Sequence, residues 1–223
     1  MHSHLLPGID DGSPDADTSA VLKKGLEDAG FVNFITTPHI MWDLYKNTPA
    51  TIDGALQLLQ QQGGHPNIRA AAEYYMDDYF DQLLAGDEPL LAIHDNMILV
   101  EFSFVSPPLD LKERLFSLQI KGYKPILAHP ERYEYLSARK SLYAELKSMG
   151  CLFQLNLLSL TGYYGKIASE LANFLISKNY IDFAGTDLHH LRHLQVIRQS
   201  KQLMPALLQL QDSNTLQNAS LVI

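Results

Sequence analysis

The chain reads as an α/β protein whose parallel sheet is buried on both faces. Short apolar runs, rich in Val, Ile, Leu and Phe, alternate with longer stretches of helical period. The runs show no polar alternation, as expected of strands covered by helices on both sides. Seven such strand–helix units fit into 223 residues, a length at which α/β barrels are single domains. An open doubly wound sheet and a closed barrel both satisfy this pattern, and residues 1–223 are expected to form one domain.

The first strand carries His2 and His4. A helix over Ser19–Asp28 follows, with Val21, Leu22, Leu26 and Ala29 on one face and Gly30 as its stop. Phe31–Ile35 is a strand leading into Thr37-Pro38-His39. Ala50–Gln62 is a helix stopped by Gly63-Gly64. Ile68–Tyr75 is a strand and Asp77–Leu84 a short helix. Met97–Phe102 is a strand and Leu109–Ile120 a helix. Lys124–His129 is a strand and Ser137–Met149 a helix stopped by Gly150. Cys151–Asn156 is a strand and Ile167–Ser177 a helix. Tyr180–Asp187 is the last strand. Leu191–Leu210 reads as helix broken near Pro205, and the last ten residues carry little pattern.

Composition excludes several classes. A net charge of −8 and a pI near 5.5 argue against nucleic-acid binding. One cysteine, Cys151, rules out an intrachain disulfide and a Cys-rich zinc site. No basic-then-apolar leader opens the chain, and no apolar run reaches the ~18 residues of a membrane span. A cytoplasmic protein without membrane insertion is expected.

The chemistry concentrates at strand ends. His2 and His4, two apart on an extended segment, point the same way. Pro7, Gly8 and Gly12 then turn the chain so that Asp10 or Asp11 comes back over them. His39, Glu73, Glu101, His129 and Asp187 each lie at or just past the C-terminal end of an apolar strand, and His189 follows Asp187 by two. That edge is where parallel α/β folds place their chemistry. Imidazole nitrogen with carboxylate oxygen suits divalent first-row metals. The set is too large for one ion. Three divalent ions would bring about +6 against about −4 from the carboxylates, leaving a site that attracts a dianion such as phosphate. A metal-bound water acidified to near neutral pH would be the nucleophile. Arg132, in His-Pro-Glu-Arg on the loop after His129, is placed to grip a phosphate oxygen; the alternative is an ion pair with Glu131 or Glu134. Arg192 is a weaker second candidate. Tyr74, Tyr75, Tyr133, Tyr163 and Tyr164 either line a pocket for an aromatic substrate or pack. His65 and His94 precede strands, at the opposite edge, and His190 and His193 flank the site; all four read as ordinary residues.

Together these segments resemble the PHP (polymerase and histidinol phosphatase) superfamily, and within it the CpsB/YwqE-type manganese-dependent tyrosine-protein phosphatases of bacterial capsule and exopolysaccharide operons. The resemblance rests on residues 2–12, 37–39, 72–75, 100–102, 128–133, 154–156, 162–165 and 185–189. It implies a distorted (β/α)7 barrel with two or three divalent metals, manganese foremost and iron or zinc as alternatives. His2, His4, Glu73 and Asp187 would hold one ion. Glu73 as a bridge, Glu101 and His129 would hold a second; Asp11, His39 and His189 a third. Arg132 would engage the phosphate, with Arg192, Asn156 and Tyr133 as candidate substrate contacts. The implied partner is a phosphotyrosine protein, a bacterial tyrosine autokinase. Two departures stand out. His2 directly follows Met1, where the family has several residues, one acidic, before its first His-x-His. That implies a trimmed chain or a very short first strand, and a weakly held first metal. The tail after about 205 matches no motif. A Cys-based phosphatase needs an arginine six positions after its cysteine, and position 157 is Leu157. The competing functions are a small-molecule phosphatase acting on histidinol phosphate or a similar ester, a phosphodiesterase, and an inactive metal-binding regulatory domain.

Overall fold

The computed structural model describes residues 1–63, 67–212 and 215–221; the expectation for His65 falls outside them. Eight strands are formed among these residues. β1 (Phe34–Thr36) pairs with β3 (Ile68–Ala70). A second sheet runs β2 (His39–Ile40), β4 (Glu73–Tyr75), β5 (Met97–Glu101), β6 (Lys124–Ala128), β7 (Leu152–Asn156) and β8 (Phe183–Gly185) in that spatial order. Every pairing between these strands is parallel. The helices are α1 (Ala16–Asp28), α2 (Pro49–Gly63), α3 (Asp78–Ala85), α4 (Leu111–Ile120), α5 (Ser141–Ser148), α6 (Lys166–Ser177), α7 (Leu191–Gln199) and α8 (Leu203–Asp212). None of the described helices is long and apolar enough to cross a membrane.

Two expectations need correction, and a third, the helix Leu191–Leu210 broken near Pro205, holds with its break a few residues earlier. The first predicted strand is reduced to a parallel bridge between Ser3 and Leu188. His2 sits at φ 61°, which interrupts extended backbone. Its neighbours still bond on both sides: Asp187 N–H donates to His2 O (2.9 Å) and Thr37 N–H to Ser3 O (2.8 Å). The predicted strand Ile68–Tyr75 is two strands, because the segment changes partners: Ala71 N–H bonds Thr36 O, whereas Glu73 N–H bonds Pro38 O. The predicted helix Leu191–Leu210 is two helices. Its break precedes Pro205, which instead occupies the first turn of α8, where a missing N–H costs no helical bond.

Both faces of the large sheet are apolar. Ile98, Val100, Leu127, Phe153 and Leu155 pack with helix residues such as Leu115, Leu146 and Leu175. On the opposite face Leu99, Ile126, Ala128 and Phe183 join Ile35 and Ala71 in a smaller cluster. Side chains two apart share a face, so the rows Ala71–Glu73, Leu99–Glu101 and Leu152–Gln154 run from this apolar floor to polar groups at the strand ends. His129 follows Ala128 by one and would face the helices in a regular strand; a left-handed backbone, φ 33°, accompanies its return to the inner side.

The tail, patternless as sequence, is anchored. Asn218 accepts from Ala184 N–H and donates to Ala184 O, both at 2.8 Å, so one side chain mimics a neighbouring strand at the free side of β8. Leu221 is buried in the small cluster. Asn218→Ala is expected to cost about 1–2 kcal/mol, lowering the melting temperature by about 2–8 °C, read by thermal unfolding.

Candidate metal centre

Glu73 is the hub. Its Oε2 lies 3.2 Å from His2 Nε2, 3.3 Å from His4 Nε2 and 3.3 Å from His39 Nδ1, and its Oε1 lies 3.1 Å from His129 Nε2. Asp187 Oδ1 closes a nest with the first two histidines, at 3.2 and 3.3 Å. The two imidazole nitrogens of that nest face each other at 3.4 Å. Donors held at about 2.1 Å from one ion in a tetrahedron are about 3.4 Å apart, so these separations would suit the ligands of one cation. Asp187 Oδ1 is buried and makes no hydrogen bond, which also fits a lone pair free for an ion. Three groups of donors meet the distance requirement of a metal site: His2, His4, Glu73 and Asp187; His4, Asp11, His39 and His189; and His39, Glu73 and Glu101. Eight of the nine expected ligands fall in these groups, and the ninth, His129, lies beside them with its Nε2 3.1 Å from Glu73 Oε1. His39 rather than His129 falls with Glu73 and Glu101, although His129 Nε2 is 3.6 Å from Glu101 Oε1.

The surrounding protein aims these donors. His2 Nδ1 donates to Gln154 Oε1 (2.6 Å) and His4 Nδ1 to Asp10 Oδ2 (2.7 Å), which leaves each Nε2 for the nest. Asn156 Nδ2 donates to Asp187 Oδ2 at 2.8 Å. Among the described residues, three of the five non-glycine residues with positive φ are His2, His129 and Asp187, so strain is concentrated in the candidate ligands. Room for the first segment comes from Gly185, where a Cβ would stand 2.9 Å from His2 Cβ and 2.8 Å from Met1 O.

Electrostatics follow from burial and charge. Burial works against a charged His2, yet Glu73 and Asp187 outweigh it and raise its pKa to about 10. His4 is likewise raised well above normal against burial, chiefly by Asp10. Glu73 and Asp187 are held well below the usual carboxylate range despite burial, first by His2. Burial and the nearby Glu73 push Glu101 well up. His129 is lowered to about 4 by burial and Arg132, and His189 to about 4 by burial and His4. The nest therefore demands positive charge.

Arg132 reaches this edge and donates to Asp187 Oδ2 at 2.8 Å. The alternative pairing with Glu131 is not made: Glu131 is turned inward, accepting from Asn156 N–H and Ser159 Oγ. A cavity of ≈ 320 Å³ opens over the donors, lined also by Arg132, Phe104, Tyr163 and Tyr164. Two expected substrate contacts are corrected. Tyr133 is fully buried, its hydroxyl between Ala128 O and Phe102 N–H. Asn156 is fully buried and spends its amide on Asp187, Tyr164 and Leu158 N–H. Arg192 lies over the Tyr163 ring at 5.6 Å, outside the cavity lining. His190 and His193 do line it. His94 sits before β5, beside Asp95. The sequence offers Asp10 only as an alternative to Asp11, and assigns no role to Gln154 or Phe104. Asp10 was visible as the twin of Asp11, and Gln154 by its inner-face parity; nothing in the sequence marked Phe104.

A parallel α/β fold whose strand ends gather carboxylates and imidazoles around buried cation nests defines an α/β protein with a candidate multinuclear metal centre. More particularly, the chain belongs to the CpsB/CapC family of capsular polysaccharide synthesis, whose model matches residues 1–201. It is 32% identical over 197 residues to the tyrosine-protein phosphatase YwqE of Bacillus subtilis, covering 86% of this chain and 77% of that protein. It is 25% identical to the tyrosine-protein phosphatase CpsB of Streptococcus agalactiae, covering 86% and 82%. Among solved structures it matches one from the study of YwqE from Bacillus subtilis and CpsB from Streptococcus pneumoniae, described as metal-dependent tyrosine phosphatases. The TM-score is 0.79 at 29% identity, covering 95% of this chain and 93% of the other. A lactonase from Listeria monocytogenes shares the fold at TM-score 0.56 and 12% identity, covering 99% and 89%.

Protons on His2 and His4 compete with a metal for the same lone pairs. Because both pKa values are raised, the protons are present at neutral pH and are lost only as pH rises. Loading of the nest is expected to release about two protons at neutral pH and to tighten as pH rises toward about 10, where His2 loses its proton. Calorimetric titration of chelator-treated protein with Mn²⁺, in buffers of different ionisation enthalpy, measures both.

Proposed function

We propose that the chain is a metal-dependent protein-tyrosine phosphatase acting in bacterial capsule or exopolysaccharide synthesis. One observation carries this reading: a buried cation nest, His2–His4–Glu73–Asp187, shares its Asp187 carboxylate with Arg132 at the floor of an open cavity. The naming of its relatives as tyrosine-protein phosphatases supports the choice of substrate. We read the sheet as a distorted (β/α)7 barrel and residues 1–223 as one domain; the bonds of residues 2–4 to both 187–188 and 37 support closure.

Two or three divalent ions, manganese foremost with iron or zinc as alternatives, belong in the donor groups. A neutral imidazole offers one lone pair; we assign His129, whose Nε2 stands beside Glu73 and Glu101, to that set and His39, through Nε2, to Asp11 and His189. When bound, such ions supply Lewis acidity toward phosphoryl oxygens and acidify water enough to be a nucleophile near neutral pH. Arg132 orients the phosphoryl group and offsets its charge, with Asp187 holding one edge of the guanidinium and Asn156 holding Asp187 in turn. The product phenolate has a pKa of about 10 and departs without a strong acid. Cys151 takes no part: it precedes β7, at the opposite end of the strand, and burial pushes its thiol up to about 12. The partner is a phosphorylated tyrosine autokinase in the cytoplasm.

The test is a substrate panel of phosphotyrosine peptide, histidinol phosphate and a nucleotide diester. Phosphotyrosine is expected to be preferred, with turnover abolished by chelator, restored by Mn²⁺ and lost in His129→Ala. Preference for either other substrate, or turnover that survives chelation, would sink the reading. Arg132→Lys keeps the charge but loses the planar fork; kcat/KM is expected to fall about 10- to 100-fold, measured by steady-state kinetics on the same peptide.

A further inference from the structure

Arg132 is held between two aromatic rings. Its guanidinium carbon lies 4.1 Å from the Tyr164 ring centre and 4.7 Å from that of Phe104. The two rings are not equivalent. Tyr164 has its hydroxyl bonded by Asn156. It is also hemmed in edge-on by Tyr163 at 5.0 Å, on a loop set by left-handed glycines, Gly162 and Gly165. Phe104 is different. It stacks at 22° on His129, 5.7 Å away, yet keeps 46% of its surface open. It lines the cavity beside Glu101, His129 and Arg132.

A phosphate ester seated against Arg132 and the donor nest must direct its organic group outward, along this wall. The cavity, ≈ 320 Å³, is at the small end of ligand pockets, which run from about 300 to 1,000 Å³. It admits one side chain. An aromatic ring lying on Phe104 gains an offset-stacked or edge contact that an alkyl group cannot match.

We propose that Phe104 is a specificity-determining residue, the shelf on which the aryl ring of an aryl phosphate rests, so that the site prefers aryl over alkyl phosphate esters. This rests on the phosphatase reading above. Phe104 touches the organic group and takes no part in bond breaking. Its exposure makes substitution compatible with folding, and melting temperature and metal content verify this for each variant.

Two measurements on metal-loaded protein test it. The first is kcat/KM for a phosphotyrosine peptide and for the same peptide carrying phosphoserine. The better phenolate leaving group favours the first peptide in every variant alike, so a change in the ratio reports the ring contact. The second is the ratio of affinities for phenylphosphonate and methylphosphonate by calorimetry, which involves no turnover. Phe104→Leu is expected to lower both ratios about two- to tenfold, while Phe104→Tyr holds them near wild type. Equal losses for aryl and alkyl ligands in Phe104→Leu would show that the ring only steadies Arg132 and would overturn the inference alone. A wild-type protein that hydrolyses neither peptide would overturn the phosphatase reading and the inference with it.

Discussion

Glu73 and Asp187 are fully enclosed carboxylates, and enclosed negative charge must be met by positive charge. Glu101 and Asp10 add to the deficit within the same few ångströms. Removing an ion from water costs several kcal/mol unless partners replace the lost hydration. Four imidazoles around Glu73 and a guanidinium on Asp187 provide part of that replacement. Two of the imidazoles meet the demand by holding protons against their own burial. A divalent cation meets it more completely, and the donor spacing is already that of a coordination sphere. The rest of the molecule can be read as the frame that makes this concentration of charge tolerable.

That frame is rigid where it needs to be. Most donors stand at or just past strand ends whose roots lie in an apolar layer, and three have a named support: Gln154 for His2, Asp10 for His4, Asn156 for Asp187. Groups held this way lose little by reorganising when charge develops. The parts that face substrate are built differently. Phe104, Tyr163 and Tyr164 come from loops, where side-chain identity can change without disturbing the strands.

Much of this was legible in the sequence. Uninterrupted apolar runs announced a sheet buried on both sides, and acid and imidazole residues at their C-terminal ends announced the site. The strand boundaries were less legible. Nothing in Ile68–Tyr75 says that its bonding partner changes between Ala71 and Glu73, because that depends on residues 36–38. Tyr133 looked like a pocket residue from its place beside Arg132, yet its hydroxyl is consumed by two backbone groups. His129 breaks the two-residue parity of its strand, and only the left-handed turn after Ala128 explains why it still faces Glu73. Asn218 lay in a stretch without pattern because its role, pairing with Ala184, is a single side-chain contact and leaves no periodic trace.

The stitching of residues 2–4 to residues 187–188 has a temporal consequence. Thr186 Oγ1 and Asp187 N–H both bond to His2 O, across more than 180 positions of chain. During synthesis the two histidines emerge more than 180 residues before Asp187, the carboxylate they share. The nest therefore cannot be completed while the middle of the protein is still being made, and ordering of its first residues must wait for long-range closure. The cluster of His2, His4, Glu73 and Asp187 thus forms only after Asp187 has been made and the two ends of the parallel fold have met.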